Sequence, residues 1–328
     1  MATAFVTGGS GFIGGVLIRR LVAEGWAVRA LARSDGSAGI VRDRGAEPVK
    51  GDLDDVTAMT DGARDADVVF HAAAHLGEWG TREEFERGNV LGTKHALEAA
   101  RAGGAKRFVH VGTEAALMHG EPLVMVDEHA PLQPHSPALY SATKAQAEMA
   151  VLEANGDGLE TVVVRPRLVW GVGDTTIMPA VREAAEKGRW AWIGGGQHRT
   201  STTHVDNVVE GLMLGATKGA PGCAYFVTDG EPVVFREFFE RLLATQGVEL
   251  GDRSAPRWLV GGASWLSEGA WRVLPLSGQP PVTKLAFWLA SQECTIDITR
   301  ARTELSYAPI RTIDDGMRGL EDAHRGGS

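Results

Sequence analysis

The sequence predicts an α/β protein: a doubly wound parallel sheet, joined to a smaller, mostly helical C-terminal region. Two observations carry this. Short β-branched or apolar runs alternate with helical stretches through the first half of the chain, which implies a parallel sheet covered on both faces. A cluster of glycines stands directly between the first such strand and the first helix.

The elements follow in order. "TAFVT" (3–7) is a buried strand ending in glycines, and "FIGGVLIRRLVAEG" (12–25) carries apolar residues at helical spacing and stops at Gly25. Further strands are expected at 27–32, 46–51, 66–74, 106–112 and 160–166, with helices at 82–102 and 137–155 among those between them. After Arg165 the rhythm changes. "RLVWGVGDTTIMP" is loop-like, and a helix (179–187), a short strand "WAWIG", a helix "HVDNVVEGLMLGAT", a strand "CAYFVT" and an amphipathic helix "FREFFERLLATQG" follow. We divide the chain into a dinucleotide-binding part, 1–166, and a substrate-binding part, 167–328, with 200–230 returning to the sheet. The tail "HRGGS" is expected to be disordered.

At 328 residues, 44% hydrophobic and 23% charged, the composition is that of an ordinary globular protein. A net charge of -9 argues against nucleic-acid and anionic-membrane partners. No apolar run is long enough for a membrane span, and the N-terminus lacks a basic n-region and an apolar h-region. Cys223 and Cys294 lie far apart, without metal-ligand spacing. Two reduced thiols in a cytoplasmic protein without a metal are expected. His71, His110 and His204 also lack paired ligand spacing and read as packing or hydrogen-bonding residues.

The glycine cluster is "VTGGSGFIGG". Gly8, Gly11 and Gly14 make G-x-x-G-x-x-G, and Gly9, Gly11 and Gly14 satisfy G-x-G-x-x-G. Opening the first βα unit, this pattern points to a Rossmann-type dinucleotide site, with the diphosphate at the helix N-terminus. The second strand ends "VRALARSD". Ala32 stands where NAD enzymes place a carboxylate, and Arg33 follows it, a cation suited to the 2′-phosphate of NADP. NADP(H) is therefore the expected cofactor, with NAD(H) the alternative through Asp35.

"LYSATKAQAE" (139–148) holds Tyr140, one of three tyrosines, and Lys144, four residues on, in good helix formers. One turn apart on a helix, the two share a face. A nearby ammonium favours phenolate and moves the phenol toward the range that acid–base catalysis needs.

With "TGGSGFIG" at the start and "YSATK" in the middle, the chain resembles the extended short-chain dehydrogenases/reductases, from Thr3 to about Gly230. "HAAAHLGEWG", "HVGTEAAL" and the Trp-rich C-terminus are most similar to the 3β-hydroxysteroid (sterol) dehydrogenase-like branch, closely followed by the dihydroflavonol reductase-like and β-keto acid reductase-like branches. The resemblance implies Thr113, Tyr140 and Lys144 as catalytic residues, with threonine where the family has serine. It implies cofactor contacts from Gly8, Gly11, Phe12, Ile13 and Gly14, from Arg33, from Asp52 and Leu53 in "GDL" beside adenine, from Ala72, Ala73 and Ala74 beside the ribose, from Tyr140 and Lys144, and from Pro166 in the nicotinamide loop. Asn89, in "NVLGT", would order a proton-relay water. Many relatives pair as homodimers through the helices around 82–102 and 137–155.

The expected activity is interconversion of a ketone and a secondary alcohol on a bulky apolar molecule, with Trp79, Trp170 and Thr202 at the substrate. Trp190, Trp192 and the late tryptophans either extend that pocket or fill the core. The alternatives are a nucleotide-sugar epimerase or dehydratase using tightly bound NAD, and a non-catalytic NADP-binding regulator. Against the first, "HRTSTTHVDN" puts Thr200, beside Arg199, where those enzymes carry a diphosphate-binding arginine. Against the second, Thr113, Tyr140 and Lys144 are all present.

Overall fold

The computed structural model describes residues 1–274 and 276–326. Strands β1 (Thr3–Thr7), β2 (Ala27–Ala32), β3 (Glu47–Lys50), β4 (Val68–His71), β5 (Arg107–Val111), β6 (Glu160–Pro166) and β7 (Cys223–Val227) form one seven-stranded sheet. Every pairing in it is parallel, in spatial order β3-β2-β1-β4-β5-β6-β7. The order reverses direction between β1 and β4, which leaves a crevice at their C-terminal ends.

Period-two alternation places the strand side chains on two faces. Val6, Val109 and Val164 pack one way, against Leu17, Ile18 and Leu21 of α1 (Phe12–Ala23) and against Val208, Val209 and Leu212 on the later helix of residues 205–218. Their neighbours Phe5, Phe108 and Val163 pack the other way, with Met59, Ala96, Ala99, Ala100 and Val151. These come from the helix α3 (Val56–Ala63), which follows α2 (Asp35–Asp43), and from α4, spanning 82–102, and α5 (Leu139–Glu153). The stretch 82–102 is not one regular helix: a π-helical segment, Glu86–Leu91, separates Arg82–Phe85 from Gly92–Ala102.

The remaining helices are α6 (Ile177–Glu186), α7 (Val205–Lys218), α8 (Phe235–Ala244), α9 (Arg257–Val273), α10 (Lys284–Ser291) and α11 (Ile313–Gly326). A separate apolar cluster of Trp170, Met178, Val181, Trp192, Phe235, Phe238, Phe239, Leu242 and Met317 holds α6, α8 and α11. A small four-stranded sheet, Val233–Val234, Arg199–Thr200, Cys294–Ile296 and Leu123–Val126, was not visible as a pattern in the sequence because its strands are two to four residues long. The tail expectation is corrected: His324–Gly326 continue α11, while Gly327 and Ser328 lie outside the described residues. Among the described residues no helix is long and apolar enough to cross a membrane.

Candidate active site

Glycine is required at two points of the β1–α1 loop. Gly8 has φ +74°, and a Cβ there would lie 2.7 Å from the backbone of Ala72 and Ala73. A Cβ on Gly14 would lie 2.3 Å from the Gly8 carbonyl oxygen. Bare glycines thus let the β1 and β4 ends abut and bring the start of α1 close under the loop. The α1 N-cap, Gly11, has no side-chain cap, and the first turn holds no acidic residue. The N–H groups at Phe12, Ile13 and Gly14 are left to an anion. This cradle fits a dinucleotide diphosphate, and Ala72–Ala74 continue its wall from the end of β4.

At the end of β2, Arg33 is exposed and makes no ion pair among the described residues. Ser34 caps α2, accepting from the Ser37 backbone N–H. Asp35 pairs with Lys50 at 3.2 Å. Asp52 is exposed and accepts from the Asp54 N–H, while Leu53 packs with the sheet's second face. Sequence reasoning missed Arg44. It reaches from the end of α2 and donates to the carbonyls of Gly9 at 2.6 Å and Gly11 at 2.9 Å. Nothing in the local sequence marks it, because the contact is made only when α2 folds back over the loop.

The Tyr140 and Lys144 side chains come from α5, and Thr113 from the turn after β5. Tyr140 is half-buried, and Lys144 is buried. Lys144 Nζ donates to the Val111 carbonyl at 2.9 Å and faces His110 Nε2 at 3.4 Å. Burial lowers the Lys144 ammonium to about 8, although the Glu148 carboxylate one turn on opposes that. Burial and the Glu114 carboxylate raise the Tyr140 phenol, while a hydrogen bond with Thr113 pulls it down. The Thr113 hydroxyl donates to Glu114 Oε2 at 2.9 Å and accepts from the Ala115 N–H at 3.2 Å. Glu114 Oε1 in turn accepts from the buried Arg167 at 2.6 Å.

Beneath this lies a buried polar chain. The Ala73 N–H donates to Thr7 Oγ1, 2.8 Å from His71 Nδ1; His71 Nε2 lies 3.0 Å from Thr93 Oγ1, which donates to the Asn89 carbonyl. Since the Thr93 proton is committed to Asn89, His71 must donate from Nε2 and accept at Nδ1. His110 stacks on His71, with centroids 5.3 Å apart. Burial and the Lys144 charge hold His71 down to about 3 and His110 well below its ordinary value. Both imidazoles are therefore neutral at pH 7. Unfolded histidine takes up a proton below about pH 6.5. Folded His71 does so only near 3. In between, the unfolded chain binds more protons, so stability falls with falling pH by up to about 1.4 kcal/mol per unit per histidine. Urea unfolding from about pH 6 to 4 should show this slope, and His71→Gln should make it shallower. An equal slope in the variant would refute the assignment.

Several expected site residues are placed elsewhere. Trp170 is fully buried, donates from Nε1 to Asp229 at 2.8 Å and packs edge-on against His204 and Phe238. Thr202 is buried, and its hydroxyl donates to the same Asp229 at 2.7 Å. Both are buried side chains held by the half-buried Asp229 carboxylate. Trp192, also buried, packs with Trp190 and Phe235. The Asn89 side chain accepts from the His75 N–H and donates to Thr143, and its carbonyl accepts from Thr93, which ties α4 to α5. Trp79 remains partly open on the loop after β4, with the Arg272 guanidinium over its ring. Pro166 is buried at the end of β6. Thr200 is buried against Arg167, and Arg199 turns outward to the Pro232 carbonyl. Among the described residues no group of three His, Cys, Asp or Glu side chains could hold a metal ion.

Comparison with known proteins bears on this arrangement. The profile of the 3-beta hydroxysteroid dehydrogenase/isomerase family matches residues 5–257. The chain is 46% identical over 319 residues to a 4-hydroxy-2-methyl-3-oxo-4-farnesyl-3,4-dihydroquinoline-1-oxide ketoreductase of Stigmatella aurantiaca, covering 97% of this chain and 96% of that one. It is 35% identical to a 2-alkyl-3-oxoalkanoate reductase of Stenotrophomonas maltophilia, covering 96% and 97% of the two chains. Among solved structures, gox2253 superimposes with a TM-score of 0.80 at 25% identity, covering 100% of this chain and 98% of that one.

Proposed function

We propose that this chain, which belongs to the 3-beta hydroxysteroid dehydrogenase/isomerase family and so to the extended short-chain dehydrogenases/reductases, is an NADPH-preferring reductase of a bulky, largely apolar ketone. It is an NAD(P)-dependent oxidoreductase by family. The observation that carries the finer reading is the cluster at the end of β5: a half-buried Tyr140 phenol, the Thr113 hydroxyl, and the Lys144 ammonium seated on the Val111 carbonyl. A bound nicotinamide supplies hydride. Tyr140 gives its proton to the ketone oxygen, and Thr113 hydrogen-bonds that oxygen as charge develops on it. Lys144 would support the phenolate that remains and hold the ribose hydroxyls of a bound cofactor.

The substrate class follows from the relatives. One is named for a ketone bearing a farnesyl chain, the other for an alkyl-branched 3-oxoalkanoate. Both names describe an apolar body next to a ketone. A nucleotide sugar needs a cation for its diphosphate, yet Arg165 and Arg167 are buried in ion pairs and Arg199 points outward. The test is NADPH oxidation across 2-alkyl-3-oxoalkanoates, prenylated quinolone ketones and 3-oxosteroids. Turnover of at least one class is expected; turnover of none would overturn the reading.

Cofactor preference rests on the end of β2. Arg33 is an exposed guanidinium with no ion pair among the described residues, whereas Asp35 is engaged by Lys50. A planar, permanently charged fork suits a 2′-phosphate. NADPH should be favoured over NADH by ~1–3 kcal/mol, the scale of hydrogen bonds to charged groups. Arg33→Ala should remove most of that difference, and Ala32→Asp with Arg33→Asn should reverse it. The measurement is kcat/KM with each cofactor. A wild type favouring NADH, unchanged by Arg33→Ala, would sink the assignment.

A further inference from the structure

We propose that Glu114 is a positioning residue: tethered by Arg167 and acting through Thr113, it keeps the Tyr140 phenol protonated, so that the proton donor survives into alkaline pH. This rests on the reading of Tyr140 as the acid.

The tether is complete. Glu114 and Arg167 are both buried; Oε1 takes the Arg167 guanidinium at 2.6 Å, and Oε2 takes the Thr113 hydroxyl at 2.9 Å. Arg167 is itself fixed by Thr200 at 3.2 Å. The carboxylate cannot swing to water without breaking a buried ion pair. A hydroxyl has one proton. Glu114 holds the Thr113 proton that a phenolate would otherwise take, so the carboxylate weakens the pull by which Thr113 lowers the phenol. The fixed negative charge acts in the same direction. When a ketone oxygen arrives, it competes with Glu114 for the Thr113 proton, so the donor needed for the oxyanion is released where it is used.

The other groups around the pair leave this balance in place. Lys144, on α5, is the cation that favours phenolate, but burial lowers it to about 8. His110 on β5 and His71 on β4 are neutral. Cys294, from the small sheet beside Arg167, is pushed up to about 12 by burial and is also neutral. Glu148 is closed off by Arg165.

The test is a near-ultraviolet phenolate titration, read as the difference between each protein and the same protein carrying Tyr140→Phe. Burial raises Tyr225 to about 12 and Tyr307 well above its ordinary value, so both titrate in the same alkaline range, and the Tyr140→Phe difference is what isolates the Tyr140 step. Glu114→Gln should move the Tyr140 step down by about one pH unit or more, the scale of a neighbouring charge. Glu114→Asp, retaining the carboxylate, should stay near wild type. If Glu114→Gln leaves Arg167 unpaired and does not fold, Glu114→Gln with Arg167→Met is compared with Arg167→Met alone, and the same downward shift is expected. The alkaline limb of kcat/KM for ketone reduction should move with it. A Tyr140 step at the wild-type pH in the Gln variants would overturn the proposal. The titration needs no turnover, so a failure to reduce ketones would count against the function alone.

Discussion

Tyr140→Phe should lower kcat for ketone reduction by ~10²–10⁴-fold, the range for removing a positioned general acid. NADPH affinity should stay within a few-fold. The two effects separate because the substitution removes one oxygen and leaves the ring. The ring packs against the apolar core of α1, β5 and β6, and that contact survives. The oxygen is the atom that sees Thr113 and Glu114, and it carries the proton that the proposed reaction delivers to the ketone. The Lys144 ammonium is held back at the Val111 carbonyl and His110. Single-turnover measurements with saturating NADPH isolate the chemical step. A variant retaining most of its rate would show that the proton comes from elsewhere.

What could be read from sequence, and what could not, divides along physical lines. The β1–α1 loop was legible because its requirement is on the backbone: only glycine fits at Gly8 and Gly14, whatever surrounds them. Tyr140 and Lys144 were legible as a pair because one helical turn fixes their relation locally. The inward placement of Trp170 and Thr202 has no local signal, because sequence shows an aromatic and a hydroxyl but not Asp229, which binds both from 27 or more residues away. Glu114 carried a faint signal, an acid directly after Thr113. Arg167, which makes that acid a fixed charge, lies 53 residues on and had none. Arg44, Glu148 and His110 likewise acquire meaning only from partners on other elements.

Arg165→Met should destabilise the fold by about 3–5 kcal/mol, the cost of stranding one member of a buried ion pair. Arg165 donates from Nε to Glu148 Oε1 at 2.7 Å, and both side chains are almost wholly buried. The Met side chain would keep much of the contact with Phe226, over which the guanidinium now lies. What it cannot do is neutralise Glu148, whose other oxygen has no partner. Removing both charges in Glu148→Leu with Arg165→Met should therefore recover most of the loss, since no desolvated charge remains. The pair also bears on the active site. Glu148 stands one turn beyond Lys144, and its charge is what opposes the lowering of that ammonium by burial. The double variant should be folded yet lose the charged Lys144 at lower pH, drawing the alkaline limb of activity down while its unfolding midpoint stays near wild type. Denaturant unfolding of the two variants, with a pH profile of the double, checks both halves. An Arg165→Met protein as stable as wild type would sink the reading of Arg165 and Glu148 as a mutually dependent buried ion pair.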